Sequence, residues 1–227
     1  MSPDLLIFDC DGVLIDSEVI SARVLVELAA EAGASFDAAH VREHFLGRSF
    51  PTVARSIRDS FGIVLPPDFE TRYRAELLAR FEAELQPMPG ILDLLGRLAV
   101  PACVATSSSP PRAMRSLAIA GIDRFFPRVF TASVVPRGKP APDLFLHAAA
   151  EMGVAPDRCL VVEDSRPGLL AARAAGMETV FFAGGSHLRD LGAAFDMDPP
   201  VRAFRTWPEV VSAYPALVRP IPSEPEP

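Results

Sequence analysis

Residues 5–17 read Leu5-Leu6-Ile7-Phe8-Asp9-Cys10-Asp11-Gly12-Val13-Leu14-Ile15-Asp16-Ser17. The first four form a continuous apolar run, the pattern of a strand buried on both faces of a parallel sheet. Two acids follow at once. Four later runs have the same character: Val100 to Ala105, Arg128 to Thr131, Cys159 to Val162, and Thr179 to Phe182. Helical patterns lie between them. Ile91 to Leu98 is apolar at 91, 94, 95 and 98, and Asp143 to Met152 opens on an expected N-cap at Asp143 and ends before Gly153. Arg166 to Ala175 is alanine-rich and stops at Gly176, a natural end for a helix. Strands alternating with helices of this length predict an α/β chain with a doubly wound parallel sheet.

One stretch breaks the alternation. From Ser17 to about Leu85 only helical patterns occur. Phe69, Tyr73, Leu77 and Phe81 recur every four residues, with Leu78 and Leu85 widening the stripe, and Glu70–Arg74 and Glu76–Arg80 are favourable i,i+4 pairs. The spacing predicts a helical domain over residues 17–85, inserted into a core of residues 1–16 and 86–227. The expected hinges are Asp16-Ser17 and Gln86 to Gly90. The C-terminal stretch is rich in proline, so its end is expected to be extended and partly disordered.

The 227 residues suffice for one such core and its insert. A net charge of -7 argues against a nucleic-acid binder, which needs basic patches. No apolar run approaches the roughly 20 residues that span a bilayer, and no secretory signal is expected. Cys10, Cys103 and Cys159 each sit in a strand-like run and read as small core residues of a cytoplasmic protein.

Ligands of doubly wound sheets sit outside the carboxyl ends of the strands. After the first strand come Asp9, Cys10, Asp11 and Gly12, and after the second Thr106, Ser107, Ser108 and Ser109. Gly138-Lys139-Pro140 lies beyond the third, and Glu163, Asp164 and Ser165 end the fourth. Asp9 and Asp164 suit a hard divalent cation. A metal accounts for Asp9 and a transferable proton for Asp11, while Lys139 and the Thr106 hydroxyl suit the oxygens of a transferring phosphoryl group.

The stretch Phe8 to Ser17 resembles the first motif of the haloacid dehalogenase superfamily. Thr106 fits its second motif, Lys139 its third and Glu163-Asp164 its fourth, in the family's order. The resemblance covers residues 4 to about 185. It implies that Asp9 is a nucleophile forming a phosphoaspartate and that Asp11 is the general acid, then base. It implies Mg²⁺ held by Asp9, Asp11 through its backbone carbonyl, and Asp164, with Glu163 a direct ligand or one acting through water. Thr106 and Lys139 would bind phosphoryl oxygens. The insert is similar to the family's four-helix cap, in which Arg48 is a candidate substrate contact; Ser107 and Ser108 are further candidates.

Several chemistries share this fold. Dehalogenases of the superfamily lack the second aspartate of the first motif, so Asp11 argues against dehalogenation. Phosphonate cleavage needs a cap lysine, and residues 17–85 contain none. A β-phosphoglucomutase would carry a histidine where this chain has Ser21 and a basic residue where it has Ser109. The chain looks most like bacterial sugar-phosphate phosphatases of the 6-phosphogluconate type, and a second substrate anion would suit Arg48 and Arg74. Nucleotide hydrolysis stays open, as does a non-enzymatic binder of a phospho-metabolite, although no catalytic residue is missing. The long insert speaks against a response-regulator phosphoacceptor. The expected partner is a small phosphorylated metabolite, bound by a monomer without nucleic acid or membrane. His187 reads as an ordinary loop residue and Asp16 as a hinge hydrogen-bonder.

Overall fold

A computed structural model describes residues 2–45, 48–189 and 197–220. Its centre is β1, Leu5–Phe8, with every side chain buried. Successive strand residues point to opposite faces, and here the two faces meet two different cores. Leu6 and Phe8 join one apolar cluster, Leu5 and Ile7 another. That is why an unbroken apolar run was needed.

Around β1 the described residues form a six-stranded, all-parallel sheet in the order β3-β2-β1-β4-β5-β6. The strands are β2, Ala102–Thr106; β3, Val129–Thr131; β4, Cys159–Glu163; β5, Glu178–Phe182; and β6, Arg202–Phe204. The chain runs outward from β1 through β2 and β3, then returns to place β4 on the other side of β1. This reversal opens a crevice at the carboxyl ends of β1 and β4. On one face Leu144, Phe145, Ala148 and Ala149 of α7 (Asp143–Met152) and Ala171 and Ala172 of α8 (Arg166–Ala174) pack on the sheet. On the other lie α5 (Ile91–Arg97), α6 (Pro110–Ile119) and α9 (Trp207–Ala213). Trp207 stacks on Phe182 at 4.2 Å between ring centroids.

Among the described residues four helices intervene between β1 and α5: α1 (Glu18–Glu31), α2 (Ala38–His44), α3 (Phe50–Phe61) and α4 (Phe69–Glu84). Phe69, Tyr73, Leu77 and Phe81 are all buried, as their four-residue repeat predicts. Both expected pairs on α4 are present, Arg74 with Glu70 and Arg80 with Glu76. The chain leaves and re-enters at one place, where Ile15 bridges to Pro87, Asp16 N donates to Gln86 O, and Met88 N donates to Leu14 O.

Three expectations need correcting. Asp143 is the first residue of α7 rather than its N-cap, which is Pro142; Arg137 takes its carboxylate instead. Within the proline-rich stretch after residue 199 lie β6 and α9, where no element was expected. Strand β2 also begins at Ala102 rather than Val100, because Pro101 has no N–H to give the ladder. The expectation for the extreme C-terminus falls on residues 221–227, outside the described residues. All three cysteines are buried and unpaired.

Candidate functional site

The strand ends converge as expected. Lys139 crosses from the segment after β3 and buries its ammonium among them. Its Nζ donates to Asp9 Oδ1 at 2.6 Å, to Glu163 Oε1 at 2.7 Å and to the Ala105 carbonyl at 3.0 Å. Burial opposes that charge, but Asp9 and Glu163 outweigh it and hold the lysine above its usual range. Asp9 itself is pushed well up, first by burial and then by the charges of Glu163 and Asp164, against the pull of Lys139. Asp164 is raised likewise, by burial and by Glu163.

Carboxylate oxygens of Asp9, Glu163 and Asp164 lie within 4.8 Å of one another. Three carboxylates facing one ammonium leave two negative charges uncompensated, which a divalent cation would cancel. Asp164 Oδ2 is buried and has no hydrogen-bond partner among the described residues. The donor set is all oxygen, the preference of hard cations. Glu163 is different: Lys139 takes its Oε1, and the Ser165 N–H and hydroxyl take its Oε2 at 2.8 and 2.9 Å.

The loop after β1 sets the first acids. Gly12 has φ of +75°, and a Cβ there would stand 1.8 Å from Asp164 Oδ2. Only glycine satisfies both demands. The turn separates the two aspartates' environments. Asp11 Oδ1 accepts from Ser17 Oγ at 2.6 Å and from Arg112 Nη2 at 2.8 Å, and its Oδ2 accepts from Ser108 Oγ at 2.7 Å. Burial works to raise Asp11, but the Arg112 charge and these bonds outweigh it and hold the carboxyl below its ordinary range. Thr106 is buried, and its Oγ1 accepts the Ser108 N–H.

Asp9, Asp11, Thr106, Ser107, Ser108 and Asp164 all line one cavity of about 110 Å³ between the strand ends and the helices α1–α4. Arg48 and Arg74 also line it. Arg48 is exposed; it borders a second, wider cleft of about 810 Å³ that Lys139 reaches from the other side.

Two residues at the site had escaped notice, and the reading of a third, His187, as an ordinary loop residue needs correcting. Arg112, in the first turns of α6, supplies a cation one helical turn beyond Ser109, where none was expected. Glu18, the first residue of α1, lines the cavity, and burial beside Asp11 and Asp164 lifts its carboxyl to about 8. His187 is buried against the site. Its Nε2 lies 3.1 Å from Asp164 Oδ2, without the alignment of a hydrogen bond, and burial lowers its pKa towards the neutral form. Asp16 fits its expectation, since its Oδ1 accepts from the Ser186 N–H and hydroxyl.

The family model of the haloacid dehalogenase-like hydrolases matches residues 3–176, a span that contains every one of the converging acids and Lys139. The chain belongs to this family. Among relatives of this haloacid dehalogenase-like hydrolase is the 6-phosphogluconate phosphatase of Escherichia coli, 32% identical over 186 residues, 81% of this chain and 84% of the relative. The fructose-1-phosphate phosphatase YqaB of the same organism is 34% identical over 77% of this chain and 94% of its own. A family hydrolase from Deinococcus radiodurans, solved with bound phosphate and sodium, has a TM-score of 0.72 and 30% identity over 97% of this chain and all of its own. The haloacid dehalogenase-like chain described here is a hydrolase of phosphomonoesters.

Proposed function

We propose that the protein hydrolyses a small sugar phosphate through an aspartyl-phosphate on Asp9, with Mg²⁺ as cofactor. One observation carries the reading: Lys139 Nζ bridges Asp9 Oδ1 and Glu163 Oε1 at 2.6 and 2.7 Å, and Asp9 in turn lines the cavity that presents Asp11. An ammonium in that place fixes the rotamer of the nucleophile and faces the incoming phosphoryl oxygens.

Asp9 attacks phosphorus through a carboxylate oxygen, and the ester oxygen leaves with a proton from Asp11. Asp11 then takes a proton from water, which attacks the phosphoaspartate and frees Asp9. The bonds from Ser17 and Ser108 aim the Asp11 carboxyl at the leaving group. Thr106 and Lys139 hold phosphoryl oxygens. Asp9, the backbone carbonyl of Asp11 and Asp164 would hold Mg²⁺, which supplies charge neutralisation between the two anions. Glu163, with both oxygens engaged, acts through Lys139 and water. The helices of residues 17–85 serve as a cap domain over a core of residues 1–16 and 86–227, excluding water and contacting the sugar with Arg48, Ser107 and Ser108 at hand.

The relatives' activities on 6-phosphogluconate and fructose 1-phosphate support the substrate class. Ser21 leaves no imidazole for a mutase; it accepts from Arg112 at 3.1 Å instead. The test is phosphate release from sugar, polyol and nucleoside phosphates with Mg²⁺ or EDTA, in wild type and Asp9→Asn. Metal-dependent release that disappears in the variant is expected. Release that persists in Asp9→Asn would refute the mechanism.

A further inference from the structure

Arg112 ties the sheet side of the cavity to the helices above it. Its Nη2 donates to Asp11 Oδ1 at 2.8 Å and to Ser21 Oγ of α1 at 3.1 Å, while its guanidinium lies 5.7 Å from the Phe81 ring centroid of α4. Both bonds leave from one nitrogen. The Nε–H is buried and has no acceptor among the described residues. A buried guanidinium donor left without an acceptor is costly, and such groups in folded proteins have a reason.

Satisfying Asp11 is not that reason. Ser17 already occupies Oδ1 and Ser108 occupies Oδ2. A strap between helices is also a weak account, since Arg115 and Glu82 already join α6 to α4 at the surface, 2.6 Å apart, without lining the cavity. What distinguishes Arg112 is its place. Asp11 must touch the ester oxygen that departs, so a group bonded to Asp11 from the cavity wall lies beside the first carbons of the leaving group. Arg112 is also the cation at the cavity that is nearly enclosed, with its side chain 18% exposed, whereas Arg48 and Arg74 stand at the rim.

We propose that Arg112 is a specificity-determining residue whose guanidinium binds an oxygen carried on the carbon next to the phosphoester carbon, either a hydroxyl or a carboxylate. The proposal rests on the phosphatase reading above. It names the preferred substrate class as phosphomonoesters with a vicinal oxygen, such as polyol and sugar-acid phosphates, over simple alkyl or aryl phosphates. A site built to hydrogen-bond such an oxygen rejects the analogue lacking it, because its own donor is then left buried and unpaired.

The experiment compares kcat/KM for glucitol 6-phosphate and for its 5-deoxy analogue, in wild type, Arg112→Lys and Arg112→Met. Each ratio is taken within one enzyme preparation, so incomplete folding or a misplaced Asp11 divides out. Wild type is expected to favour the hydroxylated substrate by about 10–100-fold, the worth of one hydrogen bond to a charged group. Arg112→Met should bring the ratio to within about three-fold of unity, and Arg112→Lys should recover part of it. An equal fall on both substrates, with the ratio kept, would make Arg112 only a support for Asp11 and overturn the proposal. A wild-type enzyme indifferent to the hydroxyl would overturn it too. Cleavage of neither compound, nor of any other sugar phosphate, would remove the phosphatase reading itself.

Discussion

Gly168 and Glu163 approach so closely that a Cβ on the glycine would stand 1.7 Å from Oε1 and 1.9 Å from Cδ of the glutamate. Glu163 Oε1 holds Lys139, which holds Asp9. A methyl group at residue 168 must therefore displace this chain of contacts. Gly168→Ala is expected to lower kcat by about a hundred-fold and stability by about 1–3 kcal/mol. Gly96→Ala is the control: it lies within α5, has nothing within 4 Å of a new Cβ, and should be neutral or stabilising by up to about 1 kcal/mol. Phosphate release and thermal denaturation of the two variants decide the matter.

Glu18 makes a prediction with an unusual sign. Its folded carboxyl titrates near 8, against 4.5 for an ordinary glutamate. The folded state therefore holds the proton more tightly than the unfolded chain. Stability from this group is present below about pH 4.5 and is lost as pH climbs to about 8. Glu18→Gln cannot lose it. In metal-free protein the variant should gain stability over wild type between pH 5 and pH 8, by about 1–3 kcal/mol at the upper end. A Tm difference independent of pH would contradict this.

Asp9 and Asp164 are raised by burial and by neighbouring acids, so protons compete with a cation for both. The gain in Tm on adding Mg²⁺ should accordingly be larger at pH 7.5 than at pH 5, and small at either pH in Asp164→Asn. Thermal shift titrations at the two pH values read this directly. A gain that grew on acidification would place the cation elsewhere.

Helix α9 offers a test away from the site. Thr206 Oγ1 accepts the Glu209 N–H, and the Glu209 carboxylate accepts the Thr206 N–H, a complete capping box. Thr206→Ala should cost about 1 kcal/mol and lower Tm by about 2–4 °C, with kcat unchanged.

The parallel sheet could be read from sequence because β1, β2, β4 and β5 are apolar runs, and the polar residues that close β1, β2 and β4 are the site. The helices α7 and α8 ended where Gly153 and Gly176 stand. Strand β6 was missed because it is three residues long, begins with exposed Arg202 and sits at a sheet edge among prolines. The Thr206-x-x-Glu209 spacing is a helix-start signal, but it stands among prolines and α9 was not expected. Arg112 looked like one more polar residue in a serine- and proline-rich stretch, and Glu18 like a first-turn acid on any helix. Both owe their importance to Asp11, which reaches them only through tertiary packing.

The central position of β1 has a further consequence for how the chain comes to be folded. Leu6 pairs with Ala102 on one side and Leu160 on the other, so the first strand to be made has no partner until much later segments arrive. The helices α1–α4 draw on local contacts and can form in the interval, while Leu5-Leu6-Ile7-Phe8 waits unpaired and wholly apolar. A nascent chain stalled before residue 102 would therefore expose an adhesive β-segment beside a folded helical unit, the kind of species that chaperones retain.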